Sequence, residues 1–316
     1  MEYRRLGNTD LSVSRIAFGC EAIGGTDWGQ VNEKESLRAV RTALDKGINF
    51  FDTADVYGLG WSEQVLSKGL GAQKKDVVVA TKFGVNWQKD PNRNRAKTFL
   101  DSSPKHVIRA LEASLRRLEL DCIPLYQIHW PDPRTPLSDT LEVLTKAREV
   151  GKIRYIGLSN FSAAQISEAQ EIVKLASVQL GYNLLDHDNG DDVGKYCQDR
   201  DVGVISYGSL AQGLLTGKYG LAAKFENDDR RSRLKHFAKA ELTRNVEIVN
   251  RVREIGHRYH KSPAQVSIRW VLNQPWVTCA AVGIKTSAQV EENATAADWN
   301  LKPEDTDYLS SLSNTI

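Results

Sequence analysis

Short apolar or β-branched runs recur along the chain at 16–18, 49–52, 77–82, 123–129, 153–158, 177–179, 202–207 and 278–282, and between them lie amphipathic helical stretches. The stripe Leu37, Val40, Leu44 follows Asn32 with Glu35 three residues on, and Gly47 stands where that helix should stop. Ser103-Pro104 opens a second helix with Val107, Ile108, Leu111, Leu115 and Leu118 on one face. Ser162 with Gln165, and Ser262-Pro263 with Gln265, repeat the capping device. Eight strands alternating with helices in 316 residues predict an α/β fold, a (β/α)8 TIM barrel, with residues 1–316 forming a single domain. A β-hairpin, 4–7 and 11–14 around Asn8-Thr9-Asp10, should precede the barrel, and extra helices should follow it at the C-terminal end.

The beat breaks at 86–99 and at 222–243. Both stretches follow the C-terminal end of an expected strand, the face where barrel enzymes place substrate and cofactor loops. A composition of 41% hydrophobic and 26% charged residues excludes collagenous, disordered and membrane-spanning chains. With Lys+Arg 42 against Asp+Glu 40, the balance of +2 excludes nucleic acid or an anionic membrane as an obligatory partner. Cys20, Cys122, Cys197 and Cys279 are scattered without C-x-x-C spacing and read as reduced thiols. Together with the charged start MEYRRLGNTD, they make the cytoplasm the expected location. No metal is expected, since His257 and His260 lack a third ligand and the glycine of DHDNGDD falls one position early for a calcium loop.

Asp52, Tyr57, Lys82 and His129 stand at or just beyond three consecutive expected strand ends, separated by spans that each fit at least one βα unit of about 30 residues. They should therefore share one rim. A phenol with a reference pKa of about 10 is a poor proton donor or acceptor at neutral pH until a nearby cation stabilises its phenolate. Lys82 would supply that charge, and Asp52 would hold Lys82 protonated.

FDTADVYG (51–58), VATKFG (79–84), LYQIHWPD (125–132), KIRYIGLSNF (152–161), SVQLGYN (177–183) and YGSLAQGLLTGK (207–218) resemble, in order, the signatures of the aldo-keto reductases. The resemblance covers nearly the whole chain and points to the bacterial general stress and inositol-cluster branch. It implies NAD(P)H-dependent reduction of aldehyde or ketone carbonyls by hydride transfer, with Tyr57 as general acid, Lys82 and Asp52 as its tuning pair, and His129 orienting the carbonyl of a small-molecule substrate. The alternative is a nucleotide-holding regulatory or redox-sensing subunit of the same fold, as in channel β-subunits.

The resemblance also implies the cofactor contacts. Ser159, Asn160 and Gln179 would bind the nicotinamide amide and Tyr207 would stack on its ring. Gly208, Ser209, Leu210, Gly213, Leu215, Gly217 and Lys218 belong to the segment that approaches the pyrophosphate. After the eighth strand, Thr286 with Gln289 caps a helix whose N-terminal amides, with Lys285, should receive the adenosine 2′-phosphate. Gly283 and Gln289 stand where Lys and Arg are common in eukaryotic members, and Glu292 and Asn293 match positions that contact adenine. NADPH is therefore the expected cofactor, with NADH usable more weakly. Trp28, Phe83, Trp87 and Trp130 should wall the mouth and favour aromatic or apolar aldehydes over sugars.

Overall fold

A computed structural model describes residues 1–25, 27–29, 31–88 and 96–315. Its strands are β1 (Tyr3–Arg5), β2 (Ser12–Ser14), β3 (Ile16–Gly19), β4 (Phe50–Asp52), β5 (Val78–Phe83), β6 (Val85–Gln88), β7 (Lys97–Leu100), β8 (Ile123–Ile128), β9 (Ile153–Ser159), β10 (Ser177–Gly181), β11 (Gly203–Tyr207) and β12 (Cys279–Gly283). Eight close into a parallel barrel in the order β3-β4-β5-β8-β9-β10-β11-β12, with Ala280 of β12 registered on Ile16 of β3. These eight are the eight runs expected from the sequence. The first gap in the beat holds the antiparallel β6–β7 hairpin, and its residues 89–95 lie outside the described residues.

Because successive side chains on a strand face opposite ways, each barrel strand feeds two cores. The inward set, Ala17, Phe50, Ala80, Leu125 and Ile205, fills the lumen together with Leu6, Leu11 and Val13 of the opening hairpin. Asn8 of that hairpin donates from Nδ2 to the Leu175 carbonyl at 3.0 Å, and Gly7 abuts Gly203, so the hairpin plugs the N-terminal end of the barrel. The outward set, including Phe18, Phe51, Val79, Phe83 and Tyr126, packs beneath the helices. Each such side chain contributes about 1.5–3 kcal/mol when fully buried.

The helices begin where the caps predicted. Asn32 accepts from the Glu35 N–H ahead of Glu33–Asp45, and Ser162 and Ser262 form reciprocal capping boxes with Gln165 and Gln265. Of the stripe on Pro104–Leu118, Val107, Leu111, Leu115 and Leu118 are buried, whereas Ile108 is exposed. After Lys239–Tyr259 and Pro263–Asn273, the added helix Pro303–Thr315 is pinned by Arg258 to Asp305 at 3.0 Å. Among the described residues no helix is long and apolar enough to cross a membrane.

Arg15 fastens the closing seam. It is fully buried, and its guanidinium donates to the carbonyls of Val277 (2.5 Å), Thr278 (2.7 Å) and Leu272, tying the start of β3 to the approach into β12. Burial pushes its pKa down to about 10, so it remains a cation at neutral pH.

Candidate active site

Asp52 ends β4, Lys82 lies one residue from the end of β5, and His129 directly follows β8. All three are buried. Lys82 Nζ donates to Asp52 Oδ2 at 2.8 Å and to the Thr53 carbonyl at 2.9 Å. Asp52 Oδ1 accepts from Gln179 Nε2 at 2.8 Å and faces Gln127 Nε2 at 3.5 Å, so the carboxylate is held from three strands at once. Tyr57 sits on the turn after β4, half-buried, with Lys82 Nζ 5.1 Å from its ring centroid and the His129 ring edge-on at 5.7 Å. The turn fits this place because of Gly58, which has φ +59 and a position where any Cβ would collide with the Gly24 carbonyl.

The tetrad opens into a cavity of about 1030 Å³ at the C-terminal ends of the strands, larger than a typical small-molecule pocket. The protonation states differ from the expectation for Tyr57. Its phenol is pushed up well above 10.0, first by burial and then by the carboxylates of Glu21 and Asp52. Arg230 acts against this rise. Burial, reinforced by Lys82 and Arg230, pushes the His129 imidazole well below 6.5, so it is neutral at physiological pH. Its Nδ1 is buried without a partner.

Beyond the tetrad, Ser159 ends β9 and Asn160 follows in a left-handed conformation at φ +65, a region that Asn tolerates. Asn160 Nδ2 donates to the His129 carbonyl and to Ser159 Oγ, each at 3.0 Å, and its Oδ1 accepts from the Tyr207 hydroxyl at 2.8 Å. Both side-chain N–H groups of Asn160, and one of Gln179, are thus spent within the protein. Gly208, Ser209, Leu210, Gly213, Lys218, Gly283, Lys285, Gln289, Glu292 and Asn293 all line the cavity. The Ser209 hydroxyl is buried there without a partner, and the space above Gly283 is open.

A model of the aldo/keto reductase family matches residues 15–314. The chain is an aldo/keto reductase. It is 37% identical to aldo-keto reductase YhdN of Bacillus subtilis over 100% of this chain and 95% of the relative. It is 31% identical to the Schizosaccharomyces pombe aldo-keto reductase yakc [NADP(+)] over 92% of this chain and 85% of that one. Among solved structures, the glycerol dehydrogenase AKR11B4 from Gluconobacter oxydans superimposes with a TM-score of 0.90 at 35% identity, over 98% of this chain and 94% of that one. The reductase is therefore an oxidoreductase that reduces the carbonyl of a small molecule with a nicotinamide cofactor.

Several expected contacts of the reductase lie elsewhere. Lys82 faces inward, so its neighbour Phe83 faces outward, stacked on Tyr126 at 4.8 Å and away from the cavity. Trp87 does not line the cavity either, whereas Trp28 and Trp130 do. Leu215 is buried in the outer core, and Gly217 faces Arg253 and Val249. The helix Ser287–Ala294 is capped as expected, and several N–H groups around its start are already taken. Gln289 Oε1 accepts from the N–H of Lys285 (2.7 Å) and Thr286 (3.3 Å), and Glu35 Oε1 accepts from Ser287 (3.0 Å). Thr286 serves this cap and is not part of the lining.

The side chains at that end of the reductase are cationic instead. Lys218, Arg231 and Lys285 line it together, with Asp229 paired to Arg231. Lys285 donates to the Trp28 carbonyl, and its pKa is lowered by burial and by Arg231. Neither Arg231 nor Arg230, Glu21 or Gln127 carried a sequence signal. Each earns its place only through contacts across the barrel.

Proposed function

We propose that this reductase draws its hydride preferentially from NADPH, with Tyr57 as the proton donor to the carbonyl oxygen. One observation carries the assignment of the acid: a protonated phenol and a neutral imidazole, 5.7 Å apart between ring centroids, line the same cavity beside a buried Lys82–Asp52 pair. Tyr57 gives up its proton as negative charge builds on the oxygen. His129 donates from one ring nitrogen to the same oxygen and fixes its direction. Lys82 lowers the cost of the phenolate left behind, and Asp52 keeps Lys82 charged and aimed.

The residues present suit a phosphorylated dinucleotide. Bound there, the cofactor supplies the hydride. Ser209, with its free hydroxyl, and Gly208, with φ +69, would stand at the pyrophosphate, and Tyr207 at the nicotinamide. Lys218, Arg231 and Lys285 supply the positive charge that a 2′-phosphate requires, and the yeast relative named for NADP(+) supports the same reading.

The test is a titration of both reduced cofactors by fluorescence, against wild type and Lys285→Ala. A charge-assisted contact contributes about 1.5–3 kcal/mol, so the substitution should weaken NADPH binding about tenfold or more and spare NADH. Equal loss for both cofactors would remove Lys285 from the 2′-phosphate.

A further inference from the structure

Glu21 directly follows the first barrel strand and its one-residue extension at Cys20, whereas Arg230 opens the turn Arg230–Arg233 in the charged stretch after β11. They are 209 residues apart in sequence, yet Arg230 Nη1 donates to Glu21 Oε1 at 2.5 Å. The Arg230 backbone N–H also donates to the Asp27 carbonyl at 2.8 Å, which fixes the turn in place. Both side chains line the cavity with Tyr57 and His129, alongside Val56, Leu59, Trp130 and Leu234.

An ion pair facing bulk solvent contributes little to stability. This one faces the reacting groups. Glu21 and Arg230 both act on the protonation of Tyr57 and of Tyr207, and Arg230 acts on that of His129, so the pair flanks the place where a carbonyl meets the acid. It is net neutral and partly open, with exposures of 44% for Arg230 and 36% for Glu21. It therefore presents spare guanidinium N–H donors next to a spare carboxylate acceptor.

That combination discriminates among substrates. A hydroxyl both donates and accepts, so it satisfies the two partners together. A substrate carboxylate would gain Arg230 but meet Glu21. An aromatic ring would strip water from both and return no hydrogen bond, and leaving buried polar groups unpaired costs about 1–3 kcal/mol.

We propose that Glu21 and Arg230 are specificity-determining residues that select carbonyl substrates bearing a hydroxyl one or two carbons from the carbonyl. The assignment rests on the carbonyl-reductase reading and reverses the preference for aromatic aldehydes that the tryptophans predict. Two of the four expected aromatic walls, Phe83 and Trp87, are absent from the lining, and the charged pair lines the cavity together with Tyr57.

The experiment compares kcat/KM for D-glyceraldehyde, 4-nitrobenzaldehyde and glyoxylate, with NADPH, in wild type, Glu21→Gln, Arg230→Met and Arg230→Lys. NADPH binding is measured on each protein. Arg230→Met should lower kcat/KM for glyceraldehyde about tenfold, mainly through KM, and change 4-nitrobenzaldehyde less than about twofold. Glu21→Gln should act in the same direction, and Arg230→Lys should recover much of the loss. Equal losses for glyceraldehyde and 4-nitrobenzaldehyde, or lost NADPH binding, would make the pair a strut of the fold and overturn the proposal. So would a fall confined to glyoxylate, which would mark a carboxylate reader. A wild type that consumes NADPH with none of the three fails the carbonyl-reductase reading itself, an outcome distinct from the others.

Discussion

Lys82 commits its ammonium to Asp52 and to the Thr53 carbonyl, so much of its charge is balanced before it reaches the Tyr57 ring 5.1 Å away. Burial, with the carboxylates of Glu21 and Asp52, keeps the proton on Tyr57 to well above 10.0, and burial, with Lys82 and Arg230, lets His129 gain one only well below 6.5. The proposed proton donation by Tyr57 and hydrogen bond from His129 need the protonated phenol and the neutral imidazole, and both forms persist between those limits. The rate of reduction at saturating cofactor should thus be level from about pH 6.5 to 9, with no acid limb near the ordinary histidine value. A transition near 6.5 in that profile would show that His129 titrates there and contradict its burial. Alcohol oxidation needs the phenolate, so its rate should climb across the same range. Tyr57→Phe keeps the ring and removes the proton, and the expected loss in kcat is about 10²–10⁴-fold with NADPH binding intact. A variant retaining more than half of wild-type kcat would move the acid elsewhere. Asp55, two residues before Tyr57, takes no part in this. It is buried with its carboxyl pushed well above 3.8, chiefly by burial and by Glu63, and one carboxyl oxygen has no partner.

At the scale of elements, the rim is held rigid by what lies behind it. Glu63, on the helix Trp61–Leu70, is fully buried and receives the Thr81 hydroxyl of β5 at 2.6 Å and Arg117 Nε of the helix Pro104–Leu118 at 2.6 Å. Two helices and the strand that carries Lys82 are thus tied through one carboxylate. Removing its cation strands a buried charge, a change that costs about 3–5 kcal/mol, whereas replacing both partners leaves none. Urea denaturation of Arg117→Met should show a loss of that order, and Glu63→Gln combined with Arg117→Met should recover part of it. A single variant as stable as wild type would mean the pair contributes nothing. Strands and capped helices were legible in the sequence because alternation, period and caps are local. The Glu21–Arg230 pair and the Glu35 side chain that occupies the Ser287 amide were not, because each joins positions more than 200 residues apart. Phe83 was misread for a different reason: the motif that places Lys82 inward turns the next side chain outward.

For the whole molecule, the order of motifs along the chain was enough to place the tetrad, since a barrel brings every strand end to one rim whatever the loops do. The distribution of charge within the cavity was not legible from a balance of +2, because pairing decides which cations remain to meet an anion. The closure of the ring at β3 and β12, fastened by Arg15, bears on how the protein is made. Until β12 has been synthesised, β3 and β11 each carry an unpaired backbone edge flanked by side chains that end up buried, and such edges adhere to other chains. Gly283 and Lys285, which line the cavity, arrive only with or after that strand. Cofactor therefore offers no help to the nascent chain while it is most adhesive. A ligand that binds the completed cavity stabilises the protein only after the ring has closed.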